Sequence, residues 1–426
     1  MKTRKRLIPA LILVVILAAP AAVSGQVLLS SQNHDFNPAL FAFSPRGNFE
    51  IGLNTRTTAY NTAFPIGHVF SETFVIDADD VIDEVGGSGL RFGGDLAAGS
   101  HITGHAFGYG LGVYGRTETI GEITFPTELF ELIAQGNVDD DGEPVTRSGS
   151  GGFILHSFAE TGAYFSGEYR DYTIGVKAAR FVPIAYSNDA EFKFEVETKD
   201  DGFRGNAGID APLFSAFDLE ALDDDDQDFD AGSGFANGGF KVDLGVIRRD
   251  EDGRPWWGAS INDLTIVRAS GLSEFRVTGE ADFASEDPFD AFFDDDRDPF
   301  DSDSEDFDVE LLGDSDERVG MPLSVSGFYR FDFPWVDVTP HAEAVFHSEV
   351  GGFNPGVTVS GNRFPSNLFY VGAERSRLAW RAGAGLRVPL YIAELGLHVQ
   401  SASRTFGGLF GRSRGISADL NLRFGF

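Results

Sequence analysis

The chain predicts an all-β fold: a transmembrane antiparallel β-barrel of about 14 strands, with short loop helices and an N-terminal plug. Three observations carry this expectation. The stretch Ile416 to Phe426 is apolar at every second position (Ile416, Ala418, Leu420, Leu422, Phe424, Phe426) and polar or small between. A strand two-faced in this way needs lipid or core on one side and polar filling or water on the other. The same period of two recurs along most of the chain, and a basic, then apolar, leader precedes it.

Lys2, Arg4, Lys5 and Arg6 stand before the apolar run Leu7 to Ala19, and Ala22-Val23-Ser24-Gly25 supplies small residues for cleavage. That is the layout of a secretory signal peptide, assigned to residues 1–25. The run falls short of the roughly 20 residues a membrane-crossing helix needs, and no comparable run follows, so strands must do any crossing. The expected location is the cell outer membrane.

Residues 26–47 carry little alternation and include Asn37-Pro38-Ala39, so they read either as a plug inside the barrel or as a flexible periplasmic lead. The barrel is expected over 48–426. Alternation places strands at Asn48 to Tyr60, Leu90 to Ala98, His105 to Thr117, Phe153 to Gly167, Tyr172 to Ile184, Glu191 to Thr198, Phe240 to Arg249, Trp256 to Arg268 and Glu274 to Phe283. After an acidic insertion come Leu323 to Phe333, Val336 to His347, Val357 to Arg363, Leu368 to Glu374, Leu378 to Leu390, Tyr391 to Ser401 and the terminal strand. Bacterial single-chain barrels use an even number of strands.

Turn residues punctuate the pattern at Ser187-Asn188-Asp189, at 250–255 and at Asp332-Phe333-Pro334-Trp335. Trp256, Trp257, Trp335, Tyr391 and Phe426 stand at strand ends, where rings straddle the lipid interface. Phe125 to Gly136, with Pro126 near its first turn and Leu129, Phe130 and Ile133 at helical spacing, predicts a short loop helix. Ser71 to Val85 shows a weaker version of that pattern.

The composition narrows function. The 426 residues hold 66 Asp+Glu against 33 Lys+Arg, net charge −33, which repels nucleic acid. Cys is absent, so there is neither a disulfide framework nor thiol chemistry. No nucleophile elbow or phosphate-cradling loop occurs, and the eight His are scattered; His341 and His347 share a face with Glu343 but lie about 20 Å apart along an extended strand. An enzyme is not expected. Six Asp in Asp223 to Asp230, within loop 218–232, and seventeen acids against Arg297 alone in loop 282–317 repel one another and read as solvated loops. Carboxylates at that density also suit Ca²⁺ or Mg²⁺. Asn137, Asp139 and Asp141 occupy positions one, three and five of a calcium-type loop whose position twelve is Ser148 instead of Glu, so the stretch reads first as a solvated turn, with a calcium loop as the alternative.

The inward half of the last strands is the candidate functional surface. Arg381, Arg387, Glu394, His398, Gln400, Asp419, Asn421 and Arg423 fall on the lumen side. Both signs of charge stand there, so the lumen is either a wet pore or an ion-paired, closed interior. Gly108, Gly110 and Gly112 alternate with Phe107, Tyr109, Leu111 and Val113, which predicts a wall bare of lumenal side chains at that point.

Asn37-Pro38-Ala39 before a first strand resembles the lead of outer-membrane barrels related to the long-chain fatty-acid transporter (FadL-like). Phe125 to Leu132 with Gly136-Asn137, strand Tyr172 to Ala179, Val242-Asp243-Leu244-Gly245 and Ser260 to Leu264 are similar to an uncharacterised domain-of-unknown-function family of such barrels. The acidic insertion departs from that pattern, and no fatty-acid-binding residue carries over. The resemblance implies a passive channel or transporter for a small hydrophobic solute; the alternative is a non-conducting structural or surface-interaction barrel with cation-binding acidic loops. Outer-membrane lipid and, through the C-terminal strand, the barrel-assembly machinery are the expected partners, and the chain is expected to be a monomer.

Overall fold

The computed structural model describes residues 36–43, 48–65, 78–135, 145–199, 202–217, 231–285, 306–348, 350–363, 368–375, 379–390, 392–410 and 413–425. The strands are β1 (Phe49–Asn61), β2 (Leu90–Ala106), β3 (Tyr109–Phe125), β4 (Thr146–Tyr169), β5 (Tyr172–Lys199), β6 (Gly202–Ser215), β7 (Gly239–Arg249), β8 (Pro255–Val267) and β9 (Leu272–Ser285). They continue as β10 (Asp306–Ser315), β11 (Leu323–Tyr329), β12 (Phe331–Asp332), β13 (Val336–Phe346), β14 (Gly352–Gly361), β15 (Phe369–Arg375), β16 (Trp380–Pro389), β17 (Ala393–Ser403) and β18 (Gly415–Gly425). Three short helices are α1 (Ala78–Val85), α2 (Thr127–Gln135) and α3 (Ala231–Asn237).

All these strands belong to one antiparallel sheet, and it closes on itself because β1 pairs β18 over Glu50–Tyr60 while its other edge pairs β2. Closure removes both edges of the wall. From β2 the pairing runs through β3, β4, β5, β7, β8, β11, β13, β14, β15, β16 and β17 to β18. Among the described residues the sheet counts 18 strands, more than alternation predicts. The excess lies outside that circuit: β12 prolongs β11 along β13, and β6, β9 and β10 form a flap hung from the upper half of β5.

The alternation sets the faces. On β17, Leu397 and Val399 are 43% and 55% exposed whereas His398 is 3% exposed, and the terminal strand repeats this with Ile416 and Leu420 outside and Ser417 and Arg423 buried. Ile51, Leu53, Leu96, Ile102, Leu111, Val113, Val325 and Val371 continue the exposed apolar surface round the ring. Apolar side chains outside and charges inside suit a barrel with lipid around it. No described helix is long and apolar enough to cross a membrane.

Short turns gather at one end of the ring, at Phe107-Gly108, Arg170-Asp171, 250–254 and 333–335; the long connections and all three helices lie at the other. In the usual barrel layout short turns are periplasmic. Exposed Phe107, Tyr169, Phe331, Phe333, Trp335 and Phe369 cluster at that end. Arg248 lies over the Trp256 ring and Arg363 over Trp335, at 4.9 and 4.8 Å. Tyr391 and Phe426, also expected in this girdle, lie outside the described residues. At the opposite end α1 and α2 pack through Val81, Val85 and Phe130 against Phe64 and Leu90, forming a lid over part of the mouth.

Several boundaries differ from the sequence expectation, each for a local reason. The break expected between Leu90–Ala98 and His105–Thr117 is one residue pair, Phe107-Gly108, with φ of 55° and 78°. A two-residue hairpin of this kind needs positive φ at both positions, and Phe107 takes the left-handed conformation there at a steric cost while its ring is 99% exposed. Ser187-Asn188-Asp189 is no turn: β5 runs through it with a register shift between Tyr186 and Glu191. The bulge lets one strand serve both parts of the sheet, the ring below through β7 and the flap above through β6. Loop 282–317 is partly strand, since β9 extends to Ser285 and β10 occupies Asp306–Ser315. In β10 charge alternates with apolar residues, so the acidic composition hid its period of two. Loop 218–232 lies outside the described residues except for the start of α3.

Two expectations follow. Leu53, 50% exposed at mid-strand, should cost about 2–4 kcal/mol when changed to Arg, the depth-dependent cost of a cation facing lipid; equilibrium unfolding in vesicles measures it, and a neutral effect would contradict a lipid-facing wall. In the flap Arg276 forks onto Asp210 (2.8 and 2.7 Å), and these hydrogen bonds hold that carboxyl below its ordinary value. A lowered folded-state value stabilises above the ordinary Asp range and is lost as pH falls through the lowered value. Protection of β6–β9 amides should therefore fall only in strong acid, and Asp210→Asn should flatten that dependence in hydrogen-exchange measurements.

Candidate functional site: the barrel interior

Strand alternation turns a dense set of charges inward, and cross-strand pairs answer them. Arg56 of β1 bonds Asp95 of β2 and Glu118 of β3, both at 2.7 Å. Arg116 bonds Glu118 (2.7 Å) and reaches Glu160 of β4 (3.7 Å). Lys241 of β7 takes Glu160 and Asp263 of β8, each at 2.5 Å, while Lys177 of β5 holds Asp243 at 3.3 Å and lies over the Tyr114 ring. One ion-paired girdle thus ties β1, β2, β3, β4, β5, β7 and β8 together. Buried charges persist only when paired in this way.

The predicted lumenal residues form a second girdle on the remaining arc. Arg423 (β18) bonds Glu394 (β17) at 2.6 Å and reaches Glu50 (β1) at 3.6 Å; Arg387 (β16) approaches Glu394 at 3.7 Å. His398 contacts Asp419 at 3.1 Å, and Arg381 faces Glu374 at 3.6 Å. Gln400 is buried on the same face, and Asn421, half-buried, stands opposite Gly396 and Asn54 in register. These eight were legible as inward-facing because β16, β17 and β18 alternate cleanly. The partners Glu50, Glu374, Arg56 and Lys241 were missed: pairing between distant strands leaves no mark in a local pattern.

The N-terminal segment 36–43 lies against the inner wall. A 3-10 turn (Pro38–Phe43) follows Asn37, whose amide donates to the Val246 and Ala259 carbonyls of β7 and β8 (3.3 and 3.1 Å). Its carboxamide oxygen accepts from the Ala39 N–H at 2.9 Å, closing the turn. The Phe36 carbonyl accepts three hydrogen bonds, from Ser260 Oγ (2.5 Å), Ser326 Oγ (2.9 Å) and Asn262 Nδ2 (3.1 Å). Phe36 sets its ring edge-on to His341 (6.2 Å between centroids), and Phe41 does the same to His101 (6.1 Å). His341 on β13 and His101 on β2 stand half a circuit apart, so eight residues cover the inner wall from one side of the ring to the other.

Glycines make the seat. A Cβ on Gly245 would overlap Asn37, and one on Gly175 would overlap Pro38 and Ala39, so close backbone approach requires both positions bare. The wall expected to be bare at Gly112 is not: Tyr164 of β4 lies over it and stacks on Phe41 at 3.4 Å between centroids. Gly112 frees the space, and its neighbour's ring fills it. Asn137, Asp139 and Asp141 lie outside the described residues. Among the described residues no group of three or more His, Cys, Asp or Glu is arranged to hold a metal ion.

A closed antiparallel ring with apolar side chains outside, charges inside and a segment of its own chain across the inner wall defines the class: a transmembrane-type antiparallel β-barrel. The family model matching residues 42–393 is described as a family of unknown function, DUF5723, and the chain belongs to that family. No curated protein matches it. Among solved structures it is similar to the Ralstonia pickettii toluene transporter TbuX (10% identity, 92% of each chain, TM-score 0.45) and the P. putida toluene transporter TodX (12%, 92% of each chain, TM-score 0.42). The translocator domain of the autotransporter NalP from Neisseria meningitidis is more distant (6%, 89% of this chain and 90% of that one, TM-score 0.26).

Removing one member of a buried pair strands the other. Arg56→Ala leaves Asp95 and part of Glu118 without a counter-charge and should cost about 3–5 kcal/mol, whereas the double change Arg56→Met, Asp95→Leu should recover most of it. Unfolding in urea with vesicles distinguishes the two, and equal losses would mean that water screens this girdle.

Proposed function

We propose that this barrel is a gated outer-membrane channel whose Phe36–Phe43 segment is the gate, passing a small solute with an apolar body. The observation that carries the reading is the seat of that segment. Three side-chain donors converge on one carbonyl, and two wall glycines receive Asn37–Ala39. Each such bond contributes only about 0.5–1.5 kcal/mol net, so release lies within reach of a binding event or local fluctuation.

The solute class follows the FadL-like resemblance of Asn37-Pro38-Ala39 ahead of the first strand. At the end of the ring bearing the long connections, Phe158, Phe181, Val182, Tyr186 and Leu272 form an apolar cluster, with Phe214, Phe217 and Met321 packed on it. That cluster sits where β5 parts from β7, between ring and flap. Its side chains are at most 7% exposed and pack on one another, so it braces the flap against the ring above the charged girdle. Outer-membrane lipid surrounds the exposed apolar band, and the alternating β18 is the strand the assembly machinery would read.

Planar-bilayer recording tests the gate. The intact protein should be closed most of the time. Ser260→Ala, Asn262→Ala, Ser326→Ala together should raise open probability by at least tenfold, and deletion of 26–43 should give a persistently open state. A barrel silent in all three forms would refute the channel and leave a structural role.

A further inference from the structure

Beyond the edge of the arc covered by Phe36–Phe43, the inner wall of β13, β14 and β15 carries a polar patch that the ion-pair girdles do not complete. Glu343 on β13 stands opposite Asn354 on β14, and His341 and Glu374 flank Gly356 from either side in register. Thr358 lies two residues further along the same face of β14, opposite Gly372, which has no side chain. Ser324 and Asn354 face the Glu343 carboxyl as hydrogen-bonding neighbours, and the charges acting most on it are the carboxylates Glu374 and Asp263. Among the described residues no cation pairs with it.

Its surroundings are equally incomplete. Asn354 is 1% exposed and Thr358 2% exposed, yet neither amide atom of Asn354 nor the Thr358 hydroxyl makes a hydrogen bond of full geometry. Both Glu374 oxygens also lack one; Arg381 Nη1 at 3.6 Å and His341 Nε2 at 3.9 Å are too far to donate. Buried polar atoms are almost always partnered, so a cluster of open acceptors beside an unanswered carboxylate marks a place for a ligand. Two carboxylates and one guanidinium leave the patch one negative charge in excess.

We propose that Glu343, Asn354, Thr358 and Glu374 form a binding site for a single ammonium group, R–NH₃⁺, presented from the lumen. The charge answers Glu343, and three N–H donors match the carboxylate, amide and hydroxyl oxygens left open on three neighbouring strands. A divalent metal is a poorer occupant, because the described residues hold no convergent set of three His or acidic ligands here or elsewhere. The site goes beyond the gate reading and does not depend on it, since it needs the segment neither to move nor to stay.

The test uses the full-length protein in lipid nanodiscs with methylammonium chloride as probe, read by saturation-transfer NMR on the methyl protons. Wild type should give a saturable signal that ammonium chloride displaces and that potassium chloride at the same concentration leaves in place. Tetramethylammonium, which has the charge but no N–H, should give none. Glu343→Gln and Asn354→Leu should each weaken binding at least tenfold, while Asp210→Asn, in the flap, should not. Circular dichroism and heat-modifiable gel mobility of each variant keep a folding defect distinct from lost binding. No signal in wild type, equal binding by Glu343→Gln, equal signal from tetramethylammonium or displacement by potassium would overturn the assignment.

Discussion

The constraint on which the rest depends is that each charge turned inward by strand alternation must find its opposite on another strand inside the ring. A closed wall gives such a charge few other routes to compensation, and a carboxylate or guanidinium left alone at low dielectric costs several kcal/mol. The interior therefore organises as girdles. Arg56 with Asp95 and Glu118, Lys241 with Glu160 and Asp263, and Arg423 with Glu394 and Glu50 bind neighbouring strands at the same heights. Such pairs specify register, because a one-residue slip would turn every one of these side chains out to lipid.

The girdles also decide where the chain's own N-terminal segment can sit. Phe36–Phe43 is mostly apolar and occupies the part of the wall where Gly175, Gly245 and small polar residues replace charges. Asn37 and the Phe36 carbonyl meet polar partners and are satisfied there. The segment follows the arc from β13 to β2, and beyond its edge the wall keeps Glu343, Asn354 and Glu374 with acceptors to spare. Gate and polar patch thus come from one division of the inner wall into a small-residue seat and a charged remainder.

Much of this was legible in the chain. Period-two alternation marks β16, β17 and β18 because each needs one lipid face and one polar face, and Arg381, Glu394, His398, Gln400 and Arg423 on them are buried in the structure. Asn37-Pro38-Ala39 stood out against a stretch without alternation. What stayed hidden was set by contacts far apart in sequence. Nothing near Glu343 reveals that no cation faces it, and nothing near Gly112 reveals that Tyr164 fills the gap. β5 was read as two strands because a bulge at 186–191 resembles a turn locally, and β10 was submerged in acidic composition. The hairpin at Phe107-Gly108 was missed because Phe is an unusual residue at positive φ.

The central claim, that Phe36–Phe43 closes this barrel by resting on its inner wall, can be tested by fixing it there. The chain has no native Cys, so Phe41→Cys with Tyr164→Cys, replacing the stacked pair, gives a single reversible cross-link between segment and wall. Conductance recorded across one bilayer under oxidising and then reducing conditions should be absent with the link closed and appear when it is cut. Equal conductance in both states would contradict a gate at this seat.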